Sequence, residues 1–224
     1  MSQDTVVSIR SALFFDFDSL VLGARKLYFD ALAEILTAKG AALDPVLFSR
    51  FFVEGDGARL PDLYAKLGLD PADAAGILDQ IRETVRPRLA ASTARIPAGL
   101  QGWIDAVRAR GAAAIGLTSL SAQEAEALCA RTGLSPELVR LCPMTAPASH
   151  DAWTHAAATA GKNPVRCLAV VTDAAALHAA IAARFSAIAV PDAYTDFQDF
   201  CGADLVCADL ADVNAADYLQ NARF

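Results

Sequence analysis

Six short runs of apolar, small and β-branched residues recur along the chain: Ser11–Phe17, Ala113–Leu117, Leu138–Cys142, Cys167–Val171, Ala187–Val190 and Leu205–Cys207. Runs of that length and composition predict strands buried on both faces. Between most of them apolar positions repeat at helical spacing, and the alternation predicts an α/β fold: a doubly wound parallel sheet with helices on both faces. Ser121 with Glu124 three residues on forms a capping box that opens one helix, and Gly133 closes it. A second helix is expected from Ala152 to Ala160, stopped by Gly161, after which Asn163-Pro164 turns the chain toward the Cys167 run.

One stretch breaks the alternation. From Val21 to Ala91 no strand is evident, while Tyr28/Leu32/Ile35, Val46/Leu47 with Phe51, Leu63/Tyr64/Leu67 and Ala74/Ile77/Leu78/Ile81/Val85 all recur at helical spacing. Asp44-Pro45 and Asp70-Pro71 each set an N-cap acid before a proline suited to the first helical position. The expected organisation is a core of residues 1–20 and 92–224, with a helical cap of residues 21–91 inserted after the first strand. The alternative is one larger helical layer without a separate cap.

Charge narrows the partners. With 19 Lys+Arg against 26 Asp+Glu the chain carries −7, the wrong sign for coating nucleic acid or an anionic membrane, so neither is expected as a partner. The 54% of hydrophobic residues suffices for a large core, yet no apolar run is long enough to span a bilayer. The N-terminus MSQDTVVSIR lacks the basic head and apolar stretch of a secretory leader, and a cytoplasmic monomer or homodimer is expected. Five cysteines with no C-x-x-C, and three histidines without ligand spacing, suggest neither a zinc site nor a disulfide framework. Trp103 and Trp153 fall on helical faces and read as core residues.

The first strand ends in Asp16-Phe17-Asp18. If the strand continues through them, alternation sends both carboxylates to the same side, where they repel unless one is protonated or a cation lies between them. A hard divalent ion such as Mg²⁺ resolves the repulsion and leaves open positions for a phosphate; a solvated Asx-turn is the plainer alternative. The Cys167–Val171 run also ends in an acid, Thr172-Asp173, and the Ala113–Leu117 run ends in hydroxyls, Thr118-Ser119. In a parallel sheet these ends share one edge, where open α/β sheets bind their ligands.

On these residues the chain resembles the haloacid dehalogenase-like hydrolase superfamily. FFDFDSLVLGARKLYFDAL is similar to its first motif, the Thr118-Ser119 region to its second, and VRCLAVVTDAAALHAA to its fourth. The resemblance spans essentially the whole chain. It implies a Rossmann-like core with a helical cap, and phosphoryl transfer from a small metabolite through a covalent aspartyl-phosphate. Asp16 would be the nucleophile and Asp18 the general acid and base. Asp16, the main chain of Asp18, and Asp173 would hold Mg²⁺, and Thr118 with the following Ser119 would bind the phosphoryl oxygens. An acid at position 18 favours a phosphatase over a dehalogenase, while a phosphate-moving mutase would need the same nucleophile.

The chain also departs from the superfamily's pattern. Its third motif carries a lysine that offsets the charge of nucleophile and phosphate, but CPMTAPASHDAW has none, and Lys162 is expected at the opposite end of the sheet. Candidates to replace it are His150 and Arg140, with Arg25, Lys26 and Arg59 from the insertion; each also reads as an ordinary surface residue. His150 and Arg59 join Thr118 and Ser119 as candidate substrate-binding residues. Thr172 stands where a second acid is usual, Ser19 where glycine follows D-x-D, and Arg184 where glycine follows the Ala-rich helix. A degenerate member that binds without turnover is therefore the alternative to an active phosphatase.

Overall fold

The computed structural model describes residues 11–52, 57–144 and 147–221. The six apolar runs form one sheet: β1 (Ala12–Asp16), β2 (Ala113–Thr118), β3 (Arg140–Pro143), β4 (Cys167–Val171), β5 (Ser186–Ala189) and β6 (Leu205–Val206). Every pairing is parallel, and the order is β3-β2-β1-β4-β5-β6. After β3 the chain returns past β1 to build the other half. The strand order therefore reverses beside β1, and a crevice opens beyond the carboxyl ends of the strands there.

Among the described residues ten α-helices connect and cover the strands. The first five are α1 (Phe17–Leu20), α2 (Ala24–Ala38), α3 (Pro45–Phe51), α4 (Leu60–Lys66) and α5 (Ile77–Ala91). They are followed by α6 (Ala98–Arg108), α7 (Ala122–Thr132), α8 (His150–Thr159), α9 (Ala174–Ala182) and α10 (Ala215–Asn221). Among the described residues no helix is long and apolar enough to cross a membrane.

Alternation along β1 divides the core. Phe14 and Ala12 face a cluster with Ile115, Ala169, Trp153 and Leu177, in which the Phe14 and Trp153 rings each meet Phe185 edge to face. Leu13 and Phe15 face the other way, into a cluster with Trp103, Ile104, Leu128 and Val170. That second cluster runs on without a break into the insertion, through Leu32, Leu36, Phe48, Leu63, Ile81 and Val85. Full burial of each such side chain stabilises by about 1.5–3 kcal/mol, so the inserted helices are held chiefly by this shared apolar surface. A bidentate pair adds orientation: Arg86 of α5 donates from Nε and Nη2 to the Glu124 carboxylate of α7, 2.7 Å each.

The local signals largely act as expected. Ser121 and Glu124 close a full capping box on α7, and Gly133 ends it in the left-handed region. The Asp44 side chain caps α3 through the Leu47 N–H. Three expectations need correction. Asp70-Pro71 starts only a 3₁₀ turn, Pro71–Ala74, because the backbone returns to extended geometry at Ala75; the helix proper begins at Ile77 after Gly76. α8 begins at His150, two residues before the expected start. β1 does not carry Asp18: Asp16 ends the strand and its carboxylate caps the helical turn α1 by accepting from the Ser19 N–H. This turn packs tightly, since a β-carbon on Gly116 of β2 would lie 2.9 Å from Leu141 and 3.0 Å from Phe17.

Candidate active site

Three carboxylates stand at the crevice, each placed by the end of an element. Asp16 is the last residue of β1 and Asp18 the second of α1. Asp173 follows β4 and is the N-cap of α9, where its Oδ1 accepts from the Ala176 N–H at 2.8 Å. The helical turn at α1, rather than strand alternation, is what brings Asp18 beside Asp16.

Asp18 is buried and held by three donors from the end of β2. Thr118 Oγ1 donates to its Oδ1 at 2.5 Å, while the Ser119 N–H and hydroxyl donate to Oδ2 at 2.7 and 2.5 Å. Burial nonetheless dominates and pushes the Asp18 carboxyl above the usual carboxylate range; the Ser119 and Thr118 hydrogen bonds oppose that rise, and the neighbouring charge of Asp16 adds to it. Thr118 and Ser119, expected to receive phosphoryl oxygens, are engaged with Asp18 instead.

Asp16 has a different setting. Its Oδ1 accepts from the Ser19 N–H at 2.9 Å and its Oδ2 from the Thr172 hydroxyl at 2.7 Å. Thr172 Oγ1 in turn accepts from Arg25 Nη2 at 3.0 Å. Arg25, on the first turn of α2, is 5% exposed. Its Nη2 also reaches Asp173 Oδ2 at 3.2 Å, and its Nη1 reaches Asp192 Oδ2 at 2.8 Å and the Thr172 carbonyl at 3.3 Å. Burial raises the proton affinity of Asp173 and the Arg25 charge lowers it, with burial the stronger. Thr195 closes the assembly from below, donating to the Thr172 carbonyl at 2.7 Å and accepting from the Asp192 N–H.

The side chains expected to hold magnesium with the main chain of Asp18, those of Asp16 and Asp173, are both engaged within the protein. Among the described residues no group of three His, Cys, Asp or Glu side chains is arranged to hold an ion. The oxygens of Asp16 point to the Ser19 N–H and the Thr172 hydroxyl, and those of Asp173 into Arg25 and the α9 backbone. The residues present therefore do not fit a divalent cation.

Asp16 and Asp18 line a small pocket of about 60 Å³. Its walls are mostly apolar: Tyr28 of α2, Leu117, Met144, Pro147, Trp153 and Val171. A neighbouring pocket on the far side of Pro147 is lined by Arg25 and Asp173 together with Phe48, Ser49 and Phe52 from the insertion.

The other candidates lie elsewhere. His150 is half exposed and meets Asp151, because it opens α8 with its ring turned to solvent. Arg59 is also half exposed; it caps its own neighbourhood by donating to the Arg50 carbonyl and stacking on Phe51. Neither lines a pocket with the carboxylates. Arg140 begins β3 and so sits at the amino end of the sheet, opposite the crevice. Lys162 does the same, donating to the Ser11 carbonyl. Lys26 is exposed and pairs with Asp30. Glu54, Gly55 and Asp56, which precede Arg59 in the sequence, lie outside the described residues. Sequence reasoning missed Asp192 and Thr195; a Pro-Asp after a β-strand was a weak signal. Arg25, named only as one of five candidates to replace the lysine, is the one of them that reaches the carboxylates.

No family model and no curated protein matches the chain. Solved structures do. A β-phosphoglucomutase from Clostridium difficile superposes with a TM-score of 0.69 at 13% identity, over 95% of this chain and 96% of that one. A variant of CbbY from Rhodobacter sphaeroides, in complex with xylulose-(1,5)bisphosphate, gives 0.64 at 22% identity, over 91% and 95%. A haloacid dehalogenase family hydrolase from Deinococcus radiodurans, with bound phosphate and sodium, gives 0.64 at 18%, over 95% and 96%. The resemblance read from the motifs is thus borne out at the level of architecture: the chain has the fold of the haloacid dehalogenase-like hydrolases.

Proposed function

We propose that the chain is a phosphate-monoester hydrolase for a small phosphorylated metabolite, working through an aspartyl-phosphate on Asp16. The observation that carries this reading is the pairing of two unlike carboxyls at the switch point. Among the described residues Asp16 accepts two hydrogen bonds and it lines the pocket, while burial raises the proton affinity of Asp18 beside it. A buried carboxyl of raised proton affinity suits the general acid, and the carboxylate beside it that faces the pocket suits the nucleophile. The complexes of similarly folded proteins with phosphate and with a bisphosphate sugar support the phosphoryl class.

In the first step an Asp16 oxygen attacks phosphorus in line, a P–O bond to Asp16 forms, and the P–O bond to the leaving alcohol breaks. Asp18 gives its proton to that alcohol oxygen. Water then attacks the same phosphorus, Asp18 takes its proton back, and the Asp16–phosphorus bond breaks to release phosphate. Thr172 carries part of the Arg25 charge to Asp16 through a donated hydrogen bond, which fixes the attacking carboxylate. Residues 21–91 act as the cap over a core of 1–20 and 92–224. Support comes from Tyr28 in the wall of the Asp16 pocket and from Phe48, Ser49 and Phe52 in that of its neighbour.

A second reading, binding without turnover, is favoured by the engagement of Thr118 and Ser119 with Asp18. Hydrolysis of p-nitrophenyl phosphate separates the two. The hydrolase reading expects measurable turnover that falls by about 10³-fold or more in Asp16→Asn, the scale on which loss of a catalytic nucleophile acts. Turnover absent from the folded wild type, or unaltered by Asp16→Asn, overturns it in favour of binding alone.

A further inference from the structure

Arg25 poses a physical question that hydrolysis does not answer. A buried guanidinium is tolerated only when its charge and N–H groups are matched, because removal from water costs several kcal/mol. Here the match is thorough. Nη1 spans Asp192 and the Thr172 carbonyl, and Nη2 spans Asp173 and the Thr172 hydroxyl. The partners come from two turns at the carboxyl edge, one after β4 and one after β5, whereas Arg25 comes from the insertion some 150 residues away in sequence. This planar donor fork reaches Asp173 directly and Asp16 through Thr172, the two carboxylates whose side chains the superfamily resemblance assigns to Mg²⁺.

We infer that Arg25 stands in for the divalent cation, so that the site is independent of metal. The inference rests on the hydrolase reading for its chemistry but not for its test. The oxygens show why an ion and the arginine exclude one another. A hard divalent cation needs several converging oxygens. Asp173 Oδ2 is taken by Arg25 and Oδ1 by the Ala176 N–H; Asp16 Oδ2 accepts from Thr172, whose own oxygen accepts from Arg25. An entering ion would have to displace a fixed, buried positive charge. Thr172 fits the same logic: where the superfamily pattern has a second acid, a hydroxyl can both accept from the guanidinium and donate to Asp16, passing positive polarity to the carboxylate. The missing motif lysine and the missing acid then read as one change: one residue, Arg25, supplies the positive charge that the pattern divides between lysine and metal.

Manganese titration of the full chain, followed by the electron paramagnetic resonance signal of free Mn²⁺, tests this without turnover. The wild type is expected to show no saturable binding into the millimolar range. Arg25→Ala is expected to gain saturable binding that Asp173→Asn, added to it, removes; Arg25→Lys, which keeps the charge, is expected to stay without it. Saturable binding to the wild type that Asp173→Asn abolishes overturns the inference, as does a folded Arg25→Ala that gains none. Should Arg25→Ala not fold, the wild-type titration decides alone. A chain that hydrolyses no phosphate ester yet excludes Mn²⁺ would sink the hydrolase reading and leave this one standing.

Discussion

Arg25 and Asp173 form a 3.2 Å ion pair between the first inserted helix and the turn after β4, two segments 148 residues apart in the chain. The pair joins the insertion to the carboxyl edge of the sheet, and it does so at the residue expected to ligate a metal. The insertion is therefore more than a cover: it delivers the buried positive charge of the site. A second tie lies close by, where Gln198 donates to the Ser49 hydroxyl of α3 at 2.6 Å and accepts from the first N–H of α9.

The raised proton affinity of Asp18 has a sign that stability can read. A carboxyl whose folded-state pKa exceeds its unfolded one keeps a proton that the unfolded chain has lost. Stability from this group therefore falls as pH rises from about 4 to the folded value, by about 1.4 kcal/mol per pH unit, and is level above it. Asp18→Asn is expected to remove most of that slope and to be more stable than wild type at neutral pH; urea denaturation across the range measures both. Glu124 acts in a separate window. Arg86 and Ser121 hold its carboxyl down to about 2, so its contribution is present above the ordinary glutamate range and fades as pH falls below it.

Arg184 offers a test of the backbone. It follows α9 with φ +71°, and the turn it makes brings the Phe185 N–H to the Ala180 carbonyl at 3.0 Å before β5 begins. The left-handed region costs an L-residue about 1–2 kcal/mol relative to its usual conformations, and glycine escapes that cost. Arg184→Gly is expected to stabilise the chain by about 1 kcal/mol in chemical denaturation, with turnover unaltered because the position lies at the amino end of β5.

Much of this architecture was legible in the residues. β-branched and apolar runs marked all six strands, and the Ser121–Glu124 box marked α7, because these are local signals. Asp18 was misplaced for a local reason as well: nothing in F-D-F-D says whether the strand continues or Asp16 turns to cap a helix. Arg25 was harder. On α2 it sits among alternately apolar and charged positions like any surface arginine, and its burial depends on Asp192 and Thr172 arriving from the far half of the sheet. His150 and Arg59 stand half exposed away from the carboxylates, since neither closeness to a strand end nor a place in the insertion says which way a side chain turns.

In the proposed reaction the Asp16 carboxylate bonds to phosphorus. Acid quenching during steady-state hydrolysis of an aryl phosphate, followed by hydroxylamine and peptide mass spectrometry, reads that bond directly. A hydroxamate is expected, confined to the peptide containing Asp16 and missing when substrate is omitted. Hydrolysis that proceeds with no adduct at Asp16, or with the adduct on another carboxylate, would contradict it.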